Sequence, residues 1–341
     1  MKKILVIGIT VALGVILTSA TLLWRVAMRP NVSGNGPYKI FIQERSTMKE
    51  LLQTLDSSGA LKDESSFIIT SRLKGFDRSI KPGFYILESG MNNNHIVNML
   101  RAGRQTPVNV TFNNLRTLND LAGHIGGQIE ADSSSIIAFL SNQSNYSDDG
   151  FKPETVISVF IPDTYQLYWT TDAEGLYKRM LREYKGFWNK DRIAAASALG
   201  LTPVDVSILA SIIDDEVAKD DEKPRIAGVY LNRLRLGIPL QACPTIKFAL
   251  NDFTIRRVLY QHLKVESPYN TYKYRGLPPG PVRCPTKAGI EAVLNAEKHD
   301  YLYFAAKADF SGYHHFSRTL AEHNKYAYAY QRELNKRKIY E

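Results

Sequence analysis

Between Ile4 and Trp24 the chain runs for 21 residues without a charged side chain. A helix of about 20 apolar residues crosses the hydrocarbon core of a bilayer. Residues 1–30 are therefore expected to form a short cytoplasmic tip and a transmembrane anchor. Lys2, Lys3 and the amino terminus favour the cytoplasmic side for the short end. Arg25 and Arg29, on the other flank, weaken that bias without reversing it. A cleaved signal peptide carries a shorter apolar run, ~7–15 residues, and ends in small residues. Thr18-Ser19-Ala20 fits such a site, so cleavage stays open as an alternative to a retained anchor. Residues 31–37, NVSGNGP, are polar and rich in Gly and Pro, as in a short linker.

Beyond the linker the pattern shortens. Tyr38–Gln43 alternates like a strand, and Thr47-x-x-Glu50 has the form of a capping box opening a helix through Leu51, Leu52 and Leu55. A second helix, Ser65–Leu73, is expected to end before Gly75, and Lys81-Pro82-Gly83 to turn the chain into a strand, Phe84–Leu87. The strand–helix–helix–strand order of residues 38–104 resembles a small LysM-like glycan-binding module. Next come a helix at Asn93–Ala102, a strand at Val108–Phe112, a helix opened by Thr117 and Asp120, and a helix at Ser133–Leu140. Ser141–Gly150 reads as a polar loop, and residues 105–154 as a connecting subdomain. From about Asp172 helical periodicity dominates, broken by a long Pro/Gly-rich stretch at 264–285 of the kind that is functional or mobile in compact domains. The fold class is α+β: one transmembrane helix, a βααβ region, then a mostly helical domain, 155–341, carrying a small sheet.

The most informative segment is Thr202–Lys219, TPVDVSILASIIDDEVAK. Thr202 is a good N-cap, Pro203 suits the first helical position and Asp205 sits three residues past the cap. At about 100° per residue, Leu209, Ile212 and Ile213 share one stripe, and Glu216 falls in its middle. Asp214 and Asp215 project to either side. A carboxyl among apolar neighbours has its ionised form disfavoured and its pKa raised. It can then stay protonated near neutrality and act as a general acid. An ion pair between Glu216 and Arg225 or Arg233, with no catalytic role, fits the same spacing.

The formal net charge is +9, to which the first thirty residues contribute Lys2, Lys3, Arg25 and Arg29 with no acid. No basic run concentrates the remainder, so a nucleic-acid partner is not expected. The two cysteines, Cys243 and Cys284, permit a disulfide in an exported compartment or two independent buried thiols. The histidines lack a zinc-binding spacing and no metal or cofactor is expected; His314-His315 with His323 matches no such pattern.

Several ordered motifs add a resemblance. Ala210–Glu216 (ASIIDDE), Ala227–Leu234 (AGVYLNRL), Pro239-Leu240-Gln241, Pro244-Thr245 and Ser267–Tyr272 (SPYNTY) resemble the YceG-like family of endolytic murein transglycosylases. Gly276–Pro281 (GLPPGP), Tyr301–Phe304 (YLYF), His315-Phe316-Ser317, His323-Asn324 and, upstream, Ile161–Tyr165 (IPDTY) continue the match over roughly residues 155–325. In this family a Glu-x-Glu motif closes the helix and its second glutamate is the catalytic acid, which places that role on Glu216. Here Asp214 stands for the first glutamate, which puts any supporting role for it in doubt. Cys243 and Cys284 replace the usual Asp before Pro-Thr and the usual Asn before Pro. Since both motifs should flank the cleft, a Cys243–Cys284 bridge bracing it is an expectation.

The resemblance implies endolytic cleavage of the bond between N-acetylmuramic acid and N-acetylglucosamine in nascent peptidoglycan, leaving 1,6-anhydro-muramic ends. Glu216 would protonate the glycosidic oxygen, then take the proton of the muramic C6 hydroxyl as it attacks C1. That attack is intramolecular and entropically favoured, so one carboxylate suffices. Tyr269, Asn270 and Tyr272 are expected to stack on and hydrogen-bond to sugars, and Gln241, Thr245, Ser317 and His315 to orient Glu216 or substrate. Asn232 and Arg233 are expected to make structural helix-to-loop contacts. The implied location is the inner (cytoplasmic) membrane, single-pass, with the catalytic part facing the periplasm, and wall synthases are the implied partners. Two rivals are a hydrolase using Asp214 or Asp163 as second carboxylate and a non-catalytic glycan-binding scaffold.

Overall fold

A computed structural model of the chain describes residues 2–34, 36–78 and 80–339. The backbone divides into two compact units, Met1–Val110 with Gln128–Ala131 and Tyr165–Thr171, and Thr111–Gly127 with Asp132–Thr164 and Asp172–Glu341.

The first unit opens with α1 (Lys2–Met28), which over Val6–Met28 is long and apolar enough to cross a membrane and is not buried by the rest of the chain. β1 (Tyr38–Ile42), α2 (Met48–Ser58), α3 (Glu64–Leu73), β2 (Gly83–Leu87) and α4 (Asn93–Ala102) follow. The expected capping box is present: Thr47 and Glu50 exchange side-chain and backbone hydrogen bonds at the start of α2. β1 pairs antiparallel with β2, with Ile40 opposite Tyr85. Their inner faces and the two helices close a core around Ile40, Leu51, Leu55, Phe67, Phe76, Tyr85 and Leu87, all at 0–1% exposure. The βααβ order is thus present, with α3 opening one residue earlier than expected because Asp63 caps it.

β3 (Val108–Phe112) pairs with β4 (Asp163–Leu167), and the chain passes between the units along these strands. The second unit contains α5 (Leu118–Gly126), α6 (Ser133–Ser141), α7 (Ala173–Phe187), α8 (Lys190–Ala198), α9 (Pro203–Glu216), α10 (Lys223–Arg235), α11 (Cys243–Leu250) and α12 (Lys287–Leu294). β5 (Tyr303–Ala306), β6 (His314–Ser317) and α13 (Leu320–Lys336) complete it. Residues 141–150 are more ordered than a polar loop, because Tyr146 is 1% exposed and its hydroxyl donates to the Leu140 carbonyl.

Helix α9 is the axis of this unit, with α8, α10, α11 and α12 packed on it. Leu209, Ile212 and Ile213 are buried as their shared stripe implies, and burial extends to every residue from Val206 to Ile213. Ser207 and Ser211 tolerate this because their hydroxyls donate back to the Pro203 and Ile208 carbonyls. A helix buried on all sides needs no amphipathic pattern. The hairpin β5–β6 pairs Tyr303 with Ser317 and Ala306 with His314, and α13 packs against it.

Candidate active site

Both ends of α9 are fixed, and that fixes Glu216. At its start the Asp205 N–H donates to Thr202 Oγ1 (3.1 Å) and the Thr202 N–H to Asp205 Oδ2 (2.9 Å). At its end Asp214 Oδ1 accepts from Lys223 Nζ at 2.8 Å and Thr286 Oγ1 at 2.9 Å, while Oδ2 accepts the Thr286 N–H at 2.7 Å. These bonds tie α9 to the first turns of α10 and α12. α12 comes so close that a Cβ on Gly289 would lie 2.5 Å from Asp214 Oδ2. Asp215 turns the other way, 2.6 Å from Arg116 and 3.6 Å from Arg283.

Glu216 is the last residue of α9 and opens into a cavity of about 390 Å³ in the second unit. The cavity walls come from the Gln241–Cys243 segment, Tyr272, the hairpin residues Tyr303–Ala306 and His314, and one face of α13. No hydrogen bond or ion pair reaches the Glu216 carboxyl among the described residues. Arg225 pairs instead with Glu297 at 2.9 Å. Arg233 donates to the carbonyls of Leu302 (2.6 Å), Pro239 (2.9 Å) and Leu240 (2.9 Å), the structural contact expected of it. Burial pushes the Glu216 carboxyl up to about 7; the Asp215 charge adds to this and Lys247 opposes it. Its place at the carbonyl end of a helix also disfavours a negative charge.

Around this carboxyl stand groups of low acidity. The Cys243 thiol lies 3.4 Å from the Tyr272 hydroxyl, and burial pushes the thiol up to about 11 and the phenol higher still. Gln241 takes a left-handed φ of 55°, its N–H held by the Thr271 carbonyl at 3.0 Å and its Oε1 accepting from Arg233 at 3.2 Å. A non-glycine residue in that region stores strain of the kind that clusters at functional sites. His323 stacks on Tyr303 at 5.4 Å, and its Nδ1 is buried without a partner. Burial and the Arg233 charge depress its pKa, which keeps the ring neutral.

Of the residues singled out in the sequence, Glu216, Gln241 and Tyr272 come together at the cavity. Thr245, Asn270 and Ser317 are buried and do not line the cavity. Thr245 bonds to Thr271 Oγ1 at 2.8 Å, and Asn270 Nδ2 clamps the Leu263 and Val265 carbonyls at 2.9 Å each. Tyr269 packs on Phe248 at 4.6 Å and His315 on Tyr326 at 4.1 Å, both away from the cavity lining. The expected Cys243–Cys284 bridge is a correction. Both thiols are free; Cys243 lines the cavity, whereas Cys284 is fully buried, its N–H on the Leu115 carbonyl.

The motifs already contained Tyr303, His323 and Asn324 with no site role drawn for them, and the rest of the α13 wall was missed. Leu320, His323, Asn324, Ala327, Tyr330 and Gln331 recur at helical spacing along one face. That periodicity was the available signal. Among the described residues no group of three or more His, Cys, Asp or Glu is placed to hold a metal ion.

A family model described as YceG-like matches residues 40–329. The chain belongs to the YceG-like family. It is 31% identical over 310 residues to an endolytic murein transglycosylase of Bacillus subtilis, covering 84% of this chain and 82% of that protein. An endolytic murein transglycosylase of Streptococcus pneumoniae is 27% identical over 296 residues, covering 78% of this chain and 53% of that protein. The chain thus spans about half the length of the streptococcal relative. The crystal structure of a yceG-like protein from Listeria monocytogenes superposes with a TM-score of 0.57 at 28% identity, covering 84% of this chain and 97% of that one.

Proposed function

We propose that this protein is a lytic transglycosylase that cuts peptidoglycan glycan strands internally, between N-acetylmuramic acid and N-acetylglucosamine, with Glu216 as the single acid and base. The relatives named as endolytic murein transglycosylases support the reaction class. The observation that carries the assignment of Glu216 is its unpartnered carboxyl at a cavity, held protonated near neutrality by burial.

The protonated carboxyl donates its proton to the glycosidic oxygen as the bond to C1 breaks. The carboxylate left behind accepts the proton of the muramic C6 hydroxyl while that oxygen bonds to C1. Glu216 ends the cycle protonated as it began, and no water is consumed. Tyr272, Gln241 and His323 are the polar groups that would bind sugar hydroxyls or the acetamido group. The hydrolase reading needs a second carboxylate at the same bond. Asp214 is held by Lys223 and Thr286 and Asp163 by Lys287, and neither lines the cavity.

In the same reading, the βααβ region of the first unit binds glycan in the manner of a LysM module. α1 anchors the chain in the cytoplasmic membrane with the second unit outside the cytoplasm. Wall synthases, which make the strands to be cut, are the partner class that follows. The test is the mass of the products from purified uncrosslinked strands. Anhydro ends, lighter than hydrolysed ends by one water, support a transglycosylase. Reducing ends would overturn it in favour of a hydrolase.

A further inference from the structure

A second cavity, about 340 Å³, lies wholly in the first unit at the carboxyl end of α1 and has no part in this chemistry. Its lining combines the apolar Leu22 and Val26 with the cations Arg25, Arg29 and Lys62. Leu22 still belongs to the apolar span, and Arg29 lies past its end. Seven residues of helix rise about 10 Å, enough to reach from the edge of the hydrocarbon core through one headgroup layer of about 5–8 Å. Trp24, 65% exposed on the same turns, is the residue type that sits at that depth.

The cavity is a built feature. Asn93 Nδ2 donates to the Val26 carbonyl at 3.0 Å, fastening α1 to the unit. Asn31, 3% exposed, bonds through its amide to Asn93 Oδ1 (2.7 Å) and the Asp63 carbonyl (2.8 Å) and accepts the Asp63 N–H at 2.8 Å. The cations there are exposed, and none of the three is ion-paired among the described residues. The acid in the lining, Asp63, is occupied in capping α3 through the Ser66 N–H at 3.1 Å. A positive excess therefore faces an apolar wall at the level of the headgroups. A soluble anion would have no use for Leu22 and Val26, whereas a lipid phosphate with its acyl chain suits both the cationic and the apolar part of the lining.

We propose that this cavity binds the headgroup phosphate of an anionic phospholipid, Arg25, Arg29 and Lys62 contacting the phosphate and Leu22 and Val26 the chain beneath it. The proposal rests on α1 spanning the bilayer and is independent of the chemistry at Glu216. It accounts for two arginines on a flank that the positive-inside bias would leave poor in cations. A bound lipid would hold the first unit at a fixed height on the membrane.

The experiment uses the full chain in neutral detergent micelles, offered equal phosphatidylglycerol and phosphatidylcholine, with retained lipid counted by native mass spectrometry. The wild type should retain phosphatidylglycerol at least tenfold over phosphatidylcholine, because all three cations favour the lipid with net negative charge. Arg25→Gln/Arg29→Gln/Lys62→Gln should bring the ratio near one. A control with the same charge change on exposed cations of the same unit, Arg72→Gln/Lys81→Gln/Arg104→Gln, should keep the preference. Equal retention by the wild type, a preference that survives the first triple, or an equal loss in the control would each overturn the site.

Discussion

Glu216 combines two properties that a merely structural carboxylate would not share: no partner, and a pKa raised to about 7. Both carry consequences for pH. The acid must be protonated to act, so the rate should hold level below pH 7 and fall about tenfold per unit above it. A rate that rises between pH 7 and 9 would exclude Glu216 as the proton donor. Stability follows the same group. Its folded pKa lies above the unfolded value of 4.5, so the contribution is complete below pH 4.5 and lost as pH rises through 7. Glu216→Gln is neutral at every pH. It should therefore be more stable than the wild type at pH 8, by at most about 3 kcal/mol, and the gap should close by pH 4. Denaturant melts at the two pH values measure this; a Gln variant less stable at pH 8 would mean an ion pair after all. Asp214 makes the opposite prediction. Asp214→Ala removes the acceptor shared by Lys223 and Thr286, leaves Lys223 with Asp220 alone, and should cost about 1–3 kcal/mol, read as a lower melting temperature. If Asp214 were a second catalytic carboxylate, Asp214→Asn would instead abolish turnover with the fold intact.

At the level of elements, much of the chain was legible because its signals are local. The capping boxes at Thr47, Thr117 and Thr202 each satisfy orphan N–H groups within four residues, and the helices they open begin where those residues stand. What was not legible depends on long-range packing. α9 carries a polar-spaced pattern yet is buried all round, since its two serines satisfy themselves on their own backbone. Thr245, Asn270 and Ser317 read as polar candidates in sequence, and only the packing shows that all three are buried. The Pro/Gly-rich stretch is likewise pinned rather than loose: the Val282 N–H donates to Ser211 Oγ at 3.0 Å and Arg283 to the Asp214 carbonyl at 3.2 Å. Gly228 on α10 shows how tight the frame is. A Cβ there would lie 2.4 Å from the Glu297 carbonyl oxygen, a backbone atom that cannot swing aside. Gly228→Ala should lose about 1–3 kcal/mol although alanine is the better helix former. A melting temperature unchanged or raised would show that the 297–299 segment yields easily.

For the molecule as a whole, the sequence foresaw an N-terminal helix long and apolar enough to cross a membrane and the βααβ order, and the α13 wall was written in a helical spacing that went unread. Charge fits the same picture. The diffuse positive excess suits a protein beside an acidic polymer and a membrane surface, with no concentrated basic run to suggest nucleic acid. The central claim is that one glutamate cuts the strand. Its most direct test is to incubate purified glycan strands with the wild-type chain and with Glu216→Gln, and to compare products by mass spectrometry. The account predicts shortened strands with anhydro ends from the wild type, and at least a hundredfold slower appearance with the variant, whose fold circular dichroism should find unchanged. Anhydro ends formed at the wild-type rate by a folded Glu216→Gln protein would contradict it.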